Sequence, residues 1–247
     1  MGRSFPPPHA ALVEEAWTSD EADNYCQRCR NSVGEGEATD TGCARCRKMV
    51  LPYAGVVRLG RHDGALRDWL LMVKYHRWPE MAAHLGRTLG EAVRGHRRFG
   101  EFRRDETVIV PIPMPWLRRV YRGIDHARVL ADGVGSALGA PVWSVLAKAP
   151  GPPQTSLTRS DRTRRRAGGW IKPRRSIRRV AGLDVVLVDD IRTTGATLRI
   201  AARLLKKAGA ARILVAVAAV ADEPGRGRGK QKTETQKTET GGQDSDA

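Results

Sequence analysis

Several features are missing from this 247-residue chain. No run of about 18 apolar residues occurs, so no membrane-spanning helix is expected. The opening stretch, MGRSFPPPHAALVEE, lacks the charged-then-apolar pattern of an export signal, and a cytoplasmic location is the expectation. Cysteine is scarce: the chain has four, and all lie between Cys26 and Cys46. In a cytoplasmic chain, so few thiols in paired spacing speak for a metal site before a disulfide framework. Acids are outnumbered, 27 against 43 Lys and Arg, which gives a formal net charge of +16. Such a balance suits anionic partners such as phosphates, nucleotides or nucleic acid. It equally suits a solvated surface in an arginine-rich coding background. Acids are scarcest from Arg159 to Arg179, where Asp161 faces ten basic residues. Aromatics are scarce there too; Trp170 is the sole one, which speaks against a base-stacking platform.

Hydrophobic residues make up 40% of the chain and mean hydropathy is −0.44, the balance of a globular protein. The length allows one well-buried domain plus a small module. Residues 1–20, with Pro6, Pro7 and Pro8, lack periodicity and read as a flexible N-terminal arm. Residues 21–52 hold the cysteines and few apolar side chains, too few to form a core without a metal. Residues 53–222 alternate strand and helix patterns. Strands are expected at 53–59, 107–112, 142–147, 184–188 and 212–220, and helices after Asp63, from Pro79, over 126–138 and over 197–208. The continuous apolar runs at 184–188 and 212–220 suit buried parallel strands, so the expected fold is α/β, a mostly parallel sheet flanked by helices. Residues 148–182 are long, basic and Pro-containing, and read as a functional hood. Residues 223–247 repeat QKTET and read as a disordered tail.

The sharpest motif is VVLVDDIRTTGAT, residues 185–197. An apolar strand ends in Asp189 and Asp190, and a Thr/Gly turn leads into a helix. Ligands of open parallel sheets bind at the carboxyl ends of strands. The helix N-terminus that follows favours a phosphate, with Thr193, Thr194, Gly195, Ala196 and Thr197 as its contacts. The two carboxylates would repel that phosphate, so they must face something else. Ribose hydroxyls are natural partners, because an ionised carboxylate only accepts hydrogen bonds. The constellation fits a 5-phosphoribosyl group.

The second motif is Cys26-x2-Cys29, thirteen intervening residues, then Cys43-x2-Cys46. Two knuckles with two thiolates each suit tetrahedral Zn2+ in a structural site with no open position. The charges around it, Arg28, Arg30, Arg45, Arg47 and Lys48, permit contact with an anion.

The strand, acid pair and Thr-Thr-Gly loop resemble the phosphoribosyltransferase superfamily. That resemblance implies binding of phosphoribosyl pyrophosphate (PRPP) or a 5'-phosphoribosyl nucleotide, with Mg2+ accompanying PRPP. It implies departure of pyrophosphate through an oxocarbenium-like state, with Asp189 and Asp190 at the ribose. A second loop at Pro111–Pro115 would meet the pyrophosphate, with Pro113 in it and Lys74, Arg118, Arg119 or Arg122 assisting. A cysteine ribbon ahead of this motif is similar to the ComF family of competence and DNA-utilisation proteins, over about residues 24–220. LMVKYHRWPE (71–80), VPIPMPWLRRVYRGIDHARVLA (110–131) and QTSLTRSDR (154–162) resemble further segments of that family. Arg162 in the last would meet pyrophosphate or substrate. Asp125-His126, Arg165 and Trp170 depart from the family pattern. Three functions follow from the resemblance: a transferase acting on an unidentified acceptor, a non-enzymatic protein binding single-stranded DNA or competence and DNA-processing proteins, and a PRPP or nucleotide sensor.

Overall fold

The computed structural model describes residues 7–14, 17, 25–26, 28–33, 37, 42–44, 46–114, 125–148 and 171–221. Four strands form one sheet with all neighbours parallel: β1 (Gly55–Arg61), β2 (Thr107–Pro111), β5 (Asp184–Arg192) and β6 (Arg212–Val220), in the order β1-β6-β5-β2. The expected α/β class is thus observed. The central runs of the strands, such as Val185–Val188 and Ile213–Val220, are apolar because both sheet faces are covered.

On one face lie α2 (Gly64–His76), α3 (Pro79–Arg94) and α4 (His126–Leu138). Leu66, Leu70, Val73, Met81, Leu85, Leu89, Leu130 and Val134 pack there against Val57, Leu59, Ile109, Val186, Val188 and Leu214. On the other face lies α5 (Ala196–Lys207), whose Leu198, Ala201, Ala202 and Leu205 meet Val108, Val185, Leu187, Ile213 and Val215. The helices α3 and α4 cross very closely. A Cβ on Gly86 would lie 2.5 Å from the Leu130 carbonyl oxygen, and one on Gly133 would lie 2.7 Å from that of Ala83.

Several expectations shift. The strand read at 53–59 runs from Gly55 to Arg61, and the one at 142–147 contracts to β3 (Leu146–Lys148), with Val142 making one isolated parallel bridge to Ile109. Asp63 stands at the N-cap of α2, but its carboxylate pairs with Arg61 at 3.1 Å and makes no cap bond. Within the stretch expected to be a flexible arm, Pro8–Glu14 forms helix α1. Its proline-rich start suits a first helical turn, and Ala11 and Trp17 join the core, Trp17 edge-on to Trp69 at 5.7 Å between ring centroids. The expected hood contains a short strand, β4 (Ile171–Pro173), antiparallel to β3, then a 3-10 turn at Arg175–Val180. Residues 149–170 of that hood and the tail 223–247 lie outside the described residues. Among the described residues no helix is long and apolar enough to cross a membrane.

Candidate functional site

The strand β5 outruns its neighbour. Strand β2 pairs with it from Asp184 to Val188, and the Ile112 N–H closes that edge on the Val188 carbonyl at 2.8 Å. Asp189 to Arg192 continue beyond, paired only with β6. On the uncovered edge the carboxylates bind backbone: the Asp190 N–H donates to Asp189 Oδ1 at 3.0 Å, and the Ile191 N–H donates to Asp190 Oδ1 at 2.7 Å. Both carboxyl groups are thereby fixed at the carboxyl end of the sheet. The chain then turns into α5 through Gly195 at φ +68°, a left-handed conformation that favours glycine. The Thr194 hydroxyl accepts from the Ala196 N–H at 3.4 Å, and Arg199 donates to the Thr194 carbonyl at 2.8 Å.

Beside the acid pair is a cavity of about 310 Å3, lined among others by His62, Lys74, Pro113, Lys148, Asp189, Asp190 and Thr197. Lys74, from the last turn of α2, places Nζ 2.9 Å from Asp190 Oδ2. Burial pushes the Asp190 carboxyl up, but Lys74 and the Ile191 N–H outweigh it and hold the group below the ordinary carboxylate range. Asp189 goes the opposite way. Burial first, then the neighbouring Asp190 charge, raises it well above that range. The pair is therefore one ionised carboxylate beside a group that resists ionisation, the behaviour of two acids in one site. His62 follows β1, again at a carboxyl end; its Nε2 is enclosed without a hydrogen-bond partner. Burial, then Lys74 and Arg67, lowers its affinity for a proton, so the imidazole is neutral near pH 7.

The four cysteines come together. Their Sγ atoms all lie within 4.8 Å of one another, with separations of 3.6 Å for Cys26–Cys46, 3.7 Å for Cys29–Cys43 and 3.8 Å for Cys43–Cys46. A tetrahedron with metal–sulfur bonds near 2.3 Å has edges of about 3.8 Å, so the set can hold a metal ion. The hydrogen bond with Cys29 pulls the Cys26 thiol down to about 4, the same bond and burial drive Cys29 up, and burial pushes Cys46 up to about 11. Four crowded thiols cannot all ionise without a cation among them. Only Val33 and Met49 pack against the cluster as apolar neighbours among the described residues. Cations tie the module internally and to the sheet. Arg28 donates to the carbonyls of Cys46 at 2.8 Å and Met49 at 2.6 Å. Arg30 donates to the Val56 carbonyl in β1, while Arg58 of β1 donates to the Arg30 carbonyl at 2.7 Å and to Ser32 Oγ at 3.1 Å. Arg28 and Arg30, among the charges that permit contact with an anion, are thus engaged with backbone, whereas Arg47 and Lys48 are exposed.

Of the residues expected in the site, Lys74, Pro113, Asp189, Asp190 and Thr197 line the one cavity. Thr193 is exposed, Gly195 is buried and Ala196 begins α5. Thr194 lines a second cavity, shared with Cys29, Cys46 and Arg192. Arg45, Arg118, Arg119, Arg122 and Arg162 lie outside the described residues. His62 and Lys148 were not anticipated. For His62 the usable signal is position, just past the carboxyl end of β1 in the parallel sheet, where open sheets bind ligands; Lys148 ends β3 of the separate antiparallel pair, and no sequence signal marks it.

The model of the phosphoribosyl transferase domain matches residues 74–244. The DNA utilization protein YhgH of Salmonella typhi is 31% identical over 201 residues, which cover 78% of this chain and 82% of that protein. Competence protein F of Haemophilus influenzae is 27% identical over 197 residues, covering 77% and 82%. The crystal structure of TT1426 from Thermus thermophilus is similar at 22% identity and a TM-score of 0.33, over 57% of this chain and 81% of that one. The chain belongs to the phosphoribosyl transferase domain family, and the competence and DNA utilization proteins that its paired cysteines and acid–threonine motif resemble are among its relatives.

Proposed function

We propose that this chain binds PRPP with Mg2+ in the cytoplasm and transfers the 5-phosphoribosyl group to an acceptor, releasing pyrophosphate. The observation that carries the reading is the Lys74–Asp190 pair at 2.9 Å, set in a cavity beside a glycine turn and a helix N-terminus. In this reading the 5-phosphate lies at the first turn of α5, against residues 193–197, where unpartnered N–H groups and the helix dipole favour an anion. The ribose hydroxyls donate to Asp189 and Asp190. Lys74 is held by Asp190 until a ligand competes for that carboxylate, and then neutralises the departing pyrophosphate. Among the described residues Asp189 and Asp190 are the only carboxylates lining the cavity, hard oxygen ligands of the kind Mg2+ takes. Mg2+ supplies charge neutralisation at the pyrophosphate. Pro113, Arg122 and Arg162 are further pyrophosphate or substrate contacts. The module of residues 21–52 holds structural Zn2+, on the strength of its four thiolates and tetrahedral edge lengths. The test is pyrophosphate release from Mg·PRPP across a panel of bases and amines, wild type against the Asp189→Asn/Asp190→Asn double variant. Release by the wild type alone supports transfer, and no release with any acceptor favours a PRPP or nucleotide sensor.

A second reading rests on the relatives' names and the net charge of +16: a non-enzymatic role with single-stranded DNA or DNA-processing proteins in DNA utilisation or competence. It requires affinity for single-stranded DNA that falls steeply with salt. Salt-independent or absent binding removes it.

A further inference from the structure

We propose that the cysteine module positions the phosphate-binding turn, and that Asn31 and Arg192 are the positioning residues. The inference rests on the reading of residues 193–197 as that turn.

The module offers a fixed point. Asn31 follows the first knuckle by two residues, and its carbonyl accepts from the Cys26 N–H at 2.9 Å. The module is locked to β1 through Arg30 and Arg58, so Asn31 moves with the sheet. Arg192, the last residue of β5, donates from Nη1 to Asn31 Oδ1. Its own carbonyl accepts from the Ala221 N–H at 2.8 Å, which anchors its backbone. Arg192 is 6% exposed, and its Nε is enclosed without a hydrogen-bond partner. That Nε lies 3.0 Å from the place a Cβ on Gly195 would occupy. The guanidinium therefore sits directly beneath the turn, wedged between Gly195 and the module.

A small cavity of about 130 Å3 records the same juxtaposition. Asn31, Cys29 and Cys46 form one side, and Arg192, Thr194 and Arg199 the other. No carboxylate lines it, although a buried guanidinium needs a counter-charge. The acceptor that the Arg192 guanidinium meets on its wall is the Asn31 amide oxygen. The module thus supplies the hydrogen-bond acceptor that holds Arg192, whose guanidinium packs against Gly195, while Arg199 donates to the Thr194 carbonyl of the same turn.

Displacing a binding turn by a fraction of an ångström weakens binding without unfolding the protein. The experiment compares wild type with Asn31→Ala, Asn31→Asp and Arg192→Lys by calorimetric titration of Mg·PRPP, alongside amide exchange over residues 191–199 in ligand-free protein. Asn31→Ala and Arg192→Lys are expected to weaken binding by about tenfold or more and to speed that exchange, with exchange in α3 and α4 unchanged. Asn31→Asp keeps the acceptor oxygen and is expected to stay within about twofold of wild type. A merely structural contact would lower the unfolding temperature and leave affinity and local exchange of the folded protein alone. Wild-type affinity and exchange in Asn31→Ala overturn the proposal. If Asn31→Ala does not fold, Arg192→Lys against Asn31→Asp decides, and equal exchange in the two overturns it. If the wild type does not bind PRPP, the functional reading fails, while the exchange measurement still decides whether the module holds the turn.

Discussion

Lys74 Nζ meets Asp190 Oδ2 at 2.9 Å, and this contact joins the last turn of the first helix after β1 to the carboxyl end of β5. Asp190 is consequently ionised, while Asp189 beside it resists ionisation. One side chain sets the charge of an acid pair that sequence alone leaves symmetrical.

Lys74→Met removes that counter-charge. The Asp190 carboxyl then rises, because burial is no longer offset. In the wild type its depressed value contributes stability that is present above the ordinary carboxylate range and lost as pH falls through the folded-state value. The variant is expected to lose on the order of 1 kcal/mol at pH 7 and to converge with wild type in acid. Thermal unfolding across pH, with carbon NMR of the Asp190 carboxyl, measures both; an unmoved carboxyl contradicts the assignment.

Asp189→Asn acts with the opposite sign. A carboxyl raised in the folded state costs stability as pH climbs from its unfolded value towards its folded value. Removing it is expected to stabilise ligand-free protein at pH 7 by on the order of 1 kcal/mol, or about 2–4 °C in Tm. The gain should vanish near pH 3, below both values. A destabilised variant at pH 7 would mean that Asp189 is held by favourable contacts instead.

Much of the framework is legible in the sequence because the periodicities are strong. The helix expected at 126–138 is observed over His126–Leu138, and the apolar run at 212–220 is strand β6. Strand order is another matter. Continuous apolar strands carry no register information, so β6 lying between β1 and β5 could not be read from them. The proline-rich opening hid a helix whose Ala11 packs into a core built by residues far along the chain. The acid pair and the four cysteines announced themselves by local spacing. Contacts that join distant segments, Lys74 with Asp190 and Asn31 with Arg192, did not.

The contact of α3 with α4 makes a separate demand. Gly133→Ala would place a Cβ 2.7 Å from the Ala83 carbonyl oxygen and 2.8 Å from Gly86 Cα, so the helices must part. Overpacking of this kind costs about 1–3 kcal/mol. A fall in Tm of several degrees is expected, with Mg·PRPP affinity retained, and an unchanged Tm would contradict the close crossing.

Metal removal should act on the module first. Native mass spectrometry is expected to show one Zn2+ per chain, lost in Cys26→Ser. With so few apolar neighbours, the metal-free module should become protease-sensitive at residues 25–49 while α3 and α4 stay protected. Full protection without metal would show that the arginine contacts alone hold the module.

The central claim is that Asp189, Asp190 and the turn after them form a PRPP site. Calorimetric titration of Mg·PRPP into zinc-loaded protein, beside the Asp189→Asn/Asp190→Asn double variant, tests it most directly. The account predicts saturable binding at one site per chain in the wild type and none in the variant. Absence of binding in the wild type, or equal binding in both, would contradict it.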